Sequence, residues 1–498
     1  MAAVQGVEVT WLVSGMDGHA CEAGLFEIDD TGEGWGHWGL FPTSAVMKTV
    51  RKEVAVRMGV AGPITVCVKS PVDWSGIVDI LTLMSKLLLL SLMAGLATAA
   101  CDYELVIRNG HVIDAANRRD GRMDVAIANG KIARVAERIA VEAGCKTIDA
   151  TGLYVTPGLI DIHAHVYANT GIPLELAGET SFVPDAIAPR SGVTTIVDAG
   201  TSGWKNFEDF KKRIIDRSQT RVLAFVNIAG LGMSGNRNEQ NTTDMDAAGL
   251  ALIAKKYKDI VVGVKTAHYG APDWIAVDRS VEAGKLAGIP VMVDFGKNHR
   301  EARPIEKLLM EKLRPGDIYT HLYSGLRNEQ LPTGKMNPVL WEARKRGILF
   351  DLGHGNGSFF WTVAMAGFKE GFLPDTISTD LHLRSWMEGM KDINNVMSKF
   401  LCNGVALKDV VRMTTLEAGK AIRRPELGTL SVGAEADVAV LKLERGKFGY
   451  LDNRRQRIMG DQRLTTELTL RAGKAIFDLN GLAADEWKPG TLPGERKK

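Results

Sequence analysis

The chain has 498 residues, roughly three times the ~150 of a single-domain prior. Hydrophobic residues make up 45% and charged residues 24%, which excludes a disordered or low-complexity protein. Sixty-one Lys and Arg against 59 Asp and Glu give a formal net charge of +2, so the chain carries neither the basic footprint of a nucleic-acid binder nor an acidic tail. The five cysteines (Cys21, Cys67, Cys101, Cys145, Cys402) show no paired spacing, which speaks against a disulfide scaffold and a Cys-x-x-Cys zinc site.

Residues 1–83 have little apolar periodicity, although four of the ten tryptophans (Trp11, Trp35, Trp38, Trp74) lie there. Met84-Ser85-Lys86 then leads into the mostly apolar run Leu87 to Leu96 and the small residues Ala97-Thr98-Ala99-Ala100-Cys101. A basic start, a short apolar run and a small-residue cleavage site are the layout of a secretory signal. The run is too short for a bilayer, which needs ~20 apolar residues. Export signals act at an N-terminus, so the expectation is a start at Met84, a signal peptide over 84–101, and a non-native or disordered extension over 1–83. A periplasmic or secreted location follows from that start, and a cytoplasmic one otherwise. The alternative for Leu87 to Leu96 is a buried core helix. Lipid attachment at Cys101 stays open.

From Tyr103 the pattern is β. Asn109-Gly110 and Asn129-Gly130 each sit between alternating apolar runs, and both predict hairpin turns because these residues tolerate positive φ. Residues 159–163, 193–198, 221–227, 260–265, 289–294, 317–321, 347–352 and 376–380 read as short strands. Amphipathic helical segments fill most of the intervals, such as those starting at Asn206 and Thr243. Eight strands alternating with helices predict a (β/α)8 TIM-type barrel over 156–424. No Gly-x-Gly-x-x-Gly follows a first strand, so a dinucleotide site is not supported. β character returns after the barrel at Gly428 and Glu467. The expected architecture therefore joins 102–155 and 425–485 into a small flanking β-sandwich.

In such a barrel the C-terminal strand ends form the active site. Seven of the ten histidines fall between His163 and His382. His163 and His165 end the first strand, and alternate strand residues share a face, so both can reach one metal ion. Lys265 ends the fourth strand, Asp294 the fifth, His321 the sixth, and Asp380 the eighth. A buried lysine can lose its proton and take up carbon dioxide, giving a carbamate able to bridge two metals. The alternative is an ordinary lysine paired with Asp294 or Asp380. Asp380 can hold a metal-bound water, carry a proton, or orient a ligand histidine. His268 and His354 are candidate substrate-binding residues or hydrogen-bonded scaffold. His299, His382, Asp198 and Asn227 are weaker candidates.

The segments "VTPGLIDIHAH", "GVTTIVDAG", "YTHLY", "FDLGHGNGSF" and "ISTDLH", with "GTLSVGAEADVAVL" after the barrel, resemble the amidohydrolase superfamily. More narrowly they resemble its amidohydrolase/deacetylase metallohydrolases, a group often labelled dihydroorotase-like. The resemblance covers about 102–485. It implies two divalent metal ions, usually zinc, with His163 and His165 on the more buried ion. It further implies N6-carboxylysine at Lys265 as the bridge, His321 on the second ion, and Asp380 as ligand and proton shuttle. A hydroxide bridging the ions would be the attacking group. The fifth strand usually ends in a histidine ligand in binuclear members. Asp294 stands there instead and is expected to ligate through oxygen, with a second ion that is weak, of another metal or absent as alternatives, in which case His268 or His299 could step in.

The expected function is metal-dependent hydrolysis of an acyl C–N or C–O bond in a small acylated substrate, as in a deacetylase. A cyclic amidase of the dihydroorotase type is the alternative. It usually carries an arginine two residues after the His-x-His pair, where this chain has Tyr167. A non-catalytic scaffold on the same fold is the third reading, and the set His163, His165, Lys265, His321 and Asp380 argues against it. No nucleic acid and no stable membrane span are expected, and a homo-oligomer stays open.

Overall fold

The protein is described here as a computed structural model covering residues 101–141, 145–296 and 299–487, with five short strands before residue 68 described by backbone alone. The expected signal segment, Met84 to Ala100, lies outside the described residues. The chain divides into two units, Met1–Ala99 and Ala100–Lys498. In the first, Val9–Ser14 pairs antiparallel with Ala20–Ile28, which also pairs with Gly34–Trp35, and Glu53–Met58 pairs with Ala61–Cys67.

The second unit is built around a seven-stranded parallel sheet in sequential order. Its strands are Leu159–Ala164, Val193–Gly203, Arg221–Asn227, Val261–Thr266, Val291–Val293, Ile318–Tyr319 and Leu349–Phe350, called barrel strands 1 to 7 below. The eighth strand expected at 376–380 does not form; isolated bridges at the two ends of this eighth position close the ring instead. Thr376 bridges Asp351 beyond strand 7, and Leu381 bridges Ala164 of strand 1, both in parallel. Asp380 N donates to His163 O at 2.7 Å and His165 N to Leu381 O at 2.8 Å.

The strands are almost wholly buried, as parallel strands covered on both faces must be. Their two faces feed separate apolar clusters. Ile160, Ile162, Val197, Leu223, Phe225, Val262, Met292 and Ile318 pack inside with Ala418, Ala421 and Ile422. Leu159, Ile196, Val222, Ala224, Val261 and Val291 face outward with Phe207, Phe210, Leu250 and Val277. The helix Ala247–Lys256 begins where Asp246 accepts hydrogen bonds from Ala248 N and Gly249 N. Its Leu250, Ala251 and Ala254 are buried.

Segments from both sides of the barrel sequence form one further sheet of eight strands. Tyr154–Pro157 pairs antiparallel with Val438–Leu451 and parallel with Leu105–Asp114, which joins the two chain regions. Asn129-Gly130 makes the expected hairpin turn, with φ of 53° and 68°. Asn109-Gly110 does not turn: Leu105–Asp114 runs on as one strand with a bulge there. Asn109 N donates to Asp124 Oδ1 at 2.8 Å, and Gly110 lies against Val155, where a Cβ would overlap the valine side chain. The reversal comes later, at the short 3-10 turn Ala115–Asn117.

Cys101 and Cys145 form a disulfide across 44 residues of sequence, a pairing that their spacing did not signal. The bond uses the Cys101 thiol that a thioether-linked lipid would require. Among the described residues no helix is long and apolar enough to cross a membrane.

Candidate metal centre

The barrel mouth gathers the residues singled out at the strand ends. His163, His165 and Lys265 are buried at 1%, 2% and 1% exposure, and His321 at 5%, while the Asp380 side chain keeps 13% of its surface open. His163 Nε2 lies 3.0 Å from Lys265 Nζ and 3.7 Å from Asp380 Oδ1. His165 Nε2 lies 2.9 Å from Asp380 Oδ1. His163, His321 and Asp380 offer ligand atoms within 4.8 Å of one another.

The opposite ring nitrogens are tied back to the scaffold. His163 Nδ1 meets Thr320 Oγ1 at 3.0 Å and Asp351 Oδ2 at 3.4 Å. His165 Nδ1 meets Thr201 Oγ1 at 2.8 Å. His321 Nδ1 lies 2.6 Å from Gly353 O, an acceptor only, so this nitrogen donates and leaves Nε2 with its lone pair in the neutral ring. Imidazoles anchored through one nitrogen and converging through the other have the arrangement of metal-ligating histidines and their outer partners. The donor set of imidazoles and carboxylates suits a borderline divalent ion.

Three residues at the mouth have left-handed backbone. His268, His321 and Asp380 have φ of 57°, 67° and 51°, a left-handed region that costs non-glycine residues free energy. Asp380 is held there by its own N–H on His163 O and by Ser385 Oγ donating to its carbonyl at 2.8 Å. Gly355 faces the Asp380 carboxylate so closely that a Cβ would overlap Oδ2. Gly353 passes between Thr320, His321 and His163 in the same way.

Electrostatics follow from burial and crowding. Burial, reinforced by the Lys265 ammonium, brings His163 down to about 3, so its ring is neutral. Burial also lowers Lys265, against the pull of Asp294 and Asp380. Burial raises Asp380, but His163 and the hydrogen bond with His165 outweigh it and hold the carboxyl below its usual range.

Asp294 lies beside His321 and His268. Its Oδ2 lies 3.5 Å from His321 Nε2 and 3.6 Å from His268 Nε2, and its Oδ1 accepts from Arg327 Nη2 at 3.0 Å. Half-exposed His268 pairs with Glu239 at 2.8 Å, and this carboxylate lifts the ring to about 9 against burial.

His354, a candidate substrate contact in the sequence, is enclosed at 0% exposure. It stacks on Phe359 at 4.4 Å, its Nδ1 meets Gly355 O at 3.0 Å, and its Nε2 meets Lys399 Nζ at 2.6 Å. His382 is buried beside His165, with 6.0 Å between ring centroids, and His299 is exposed.

Sequence reasoning missed Thr201, Thr320, Asp351, Glu239, Arg327 and Lys399. Asp351 had a usable signal, since it is a carboxylate at the end of strand 7. Asp161 ties strand 1 to position 8 by accepting from Thr379 N at 3.1 Å and His163 N at 3.2 Å.

An eight-membered barrel carrying converging imidazoles, a buried lysine and carboxylates at its C-terminal mouth defines a metallohydrolase barrel. No family model matches the chain. A deacetylase of Agrobacterium fabrum is 31% identical over 323 residues, covering 63% of this chain and 77% of that protein. A solved adenine deaminase superposes with a TM-score of 0.69 at 26% identity, covering 76% of this chain and 100% of that one. A solved dihydroorotase superposes with a TM-score of 0.64 at 26% identity, covering 75% and 99%. The chain belongs to the amidohydrolase superfamily, as its strand-end motifs lead one to expect.

Proposed function

We propose that this metal-dependent amidohydrolase removes an acyl group, such as acetyl, from a small acylated amine or the corresponding ester. The observation that carries the reading is the convergence of His163, His165, Lys265, His321 and Asp380, with each imidazole anchored from behind. The deacetylase relative favours an acyl amine over other C–N substrates.

In this reading the centre would hold two divalent ions, zinc by preference. His163 and His165 would hold the more buried ion and His321 and Asp294 the second, with Asp380 as a further ligand. Lys265, if it took up carbon dioxide at Nζ with loss of one proton, would offer a carbamate to both ions. Bound ions would supply a water of lowered pKa, near 7 for zinc, and polarise the scissile carbonyl.

The chain's own residues do the rest. Asp380 is the ligand-set member most open to the mouth, so it meets both water and substrate. It accepts the proton of the attacking water and returns it to the departing amine, giving carboxylic acid and free amine. His165 and Ser385 hold Asp380 in place for both transfers. Buried walls keep bulk water from the reacting atoms.

The cyclic-amidase alternative needs a cation near the position after the His-x-His pair. Tyr167 stands there, buried, with its hydroxyl donating to Asp209 Oδ2 at 2.5 Å, and it presents no cation. We read the flanking sheet of 102–155 and 425–485 as a small β-sandwich, and 156–424 as the catalytic barrel. We also read the protein as exported after a signal at 84–101. The Cys101–Cys145 disulfide supports export, because such bonds persist in oxidising compartments, and it requires the cleavage to fall before Cys101 so that this residue stays in the mature chain.

The test is turnover of N-acetyl amines, acetyl esters and dihydroorotate by zinc-loaded enzyme. Release of acetate with dihydroorotate untouched is expected. Ring opening of dihydroorotate alone would overturn the deacylase reading.

A further inference from the structure

Asp294 is one end of a buried network. Its Oδ1 accepts from Arg327 Nη2 at 3.0 Å and from Gly296 N at 3.2 Å, which leaves Oδ2 facing His321 and His268. The Arg327 side chain is 2% exposed. Its Nη1 donates to Tyr319 Oη at 3.1 Å and its Nε to Gly296 O. Its guanidinium carbon lies 5.5 Å from the Phe295 ring centroid and 5.7 Å from that of Tyr319. Glu329, also buried, accepts from Tyr319 Oη at 2.8 Å, Ser324 Oγ at 2.7 Å and Arg327 N at 2.8 Å. The fork can therefore move little, and it fixes which carboxylate oxygen of Asp294 turns to the mouth.

We infer that Arg327 is a positioning residue for the second ion: it holds Asp294 so that Oδ2 alone is offered beside His321. A carboxylate sharing one oxygen with a guanidinium supplies an oxygen ligand while the pair adds no net charge. A ligand held in this way depends on its outer partner, whose loss typically costs ~10–100-fold in metal affinity. The inference rests on the two-ion reading above.

Two effects of removing Arg327 have opposite signs. Loss of orientation weakens the second ion, whereas loss of a nearby positive charge tightens it. Arg327→Lys separates them, because it keeps the charge and removes the planar fork. Arg327→Gln removes both.

The experiment titrates metal-free full-length wild type, Arg327→Lys and Arg327→Gln with zinc against a competing chelator, and counts ions per chain by mass spectrometry. Circular dichroism checks the fold of each. Arg327→Lys is expected to keep the first ion at wild-type affinity and bind the second at least tenfold more weakly. Second-ion affinity unchanged in Arg327→Lys, or tighter in Arg327→Gln, would overturn the inference while leaving the two-ion reading intact. A wild-type chain that holds a single ion would overturn both. If Arg327→Gln fails to fold, the lysine variant alone decides.

Discussion

His165 Nε2 and Asp380 Oδ1 lie 2.9 Å apart although 215 residues separate them in the chain. The contact exists because position 8 of the barrel closes against strand 1, with His163 O and Leu381 O each accepting a backbone hydrogen bond across the seam. Closure of the ring and assembly of the site are thus the same event.

Asp380→Asn tests the proton carrier. The amide keeps an oxygen donor atom but cannot take up the water's proton, so kcat should fall by about 10²–10⁴-fold. Bound metal should stay near the wild-type level when measured by mass spectrometry. Full activity in this variant would refute the shuttle.

Lys265→Ala tests the bridge. The variant should lose metal and activity together, and millimolar short carboxylates should restore part of both by occupying the vacated arm. Wild-type protein crystallised with bicarbonate should carry extra density for one carboxylate on Nζ. A Lys265→Ala chain with its full metal complement would exclude the bridging role.

Gly355→Ala tests how closely the backbone is shaped to Asp380. The residue has φ of 54°, and a Cβ would overlap Oδ2 of Asp380. Stability should fall by about 1 kcal/mol from strain at positive φ. Activity should fall at least tenfold, because the carboxylate must move. Unchanged kcat with unchanged urea denaturation would show that the loop yields freely.

Lys399→Met tests a structural role near the site. Lys399 Nζ meets His354 Nε2 at 2.6 Å, Gly389 O at 2.9 Å and Leu451 O at 2.7 Å, three acceptors for the three donors of an ammonium. Burial nevertheless pushes its pKa well down. Methionine fills the space but leaves the acceptors unpaired, so unfolding free energy should drop by about 1–3 kcal/mol. Urea denaturation with metal content held constant measures this, and no loss would mean the acceptors find other partners.

The barrel was legible because parallel strands buried on both faces write short β-branched runs, and those runs end at polar residues. The strands read from 159–163 and 221–227 lie within a residue of Leu159–Ala164 and Arg221–Asn227. His163, His165, Lys265, His321 and Asp380 were legible because strand ends point into the mouth. Their outer partners were not. Thr201, Thr320 and Asp351 come from other strands, and only the closed ring brings their hydroxyls and carboxylate behind the imidazoles. Arg327 was invisible for a related reason, since it lies in a loop beyond strand 6 and reaches Asp294 through a fold-dependent contact. Asn109-Gly110 misled because a bulge and a tight turn both use positive φ. The Cys101–Cys145 pair left no spacing signature, since strand pairing over 44 residues sets it.

The central measurement is the number of metal ions per chain. Full-length protein expressed with zinc and bicarbonate would be desalted and analysed by inductively coupled plasma mass spectrometry. Two ions per chain are expected, held by His163, His165, Lys265, His321, Asp294 and Asp380. A chain that binds no ion, under conditions where circular dichroism reports a native fold, would contradict the metallohydrolase mechanism.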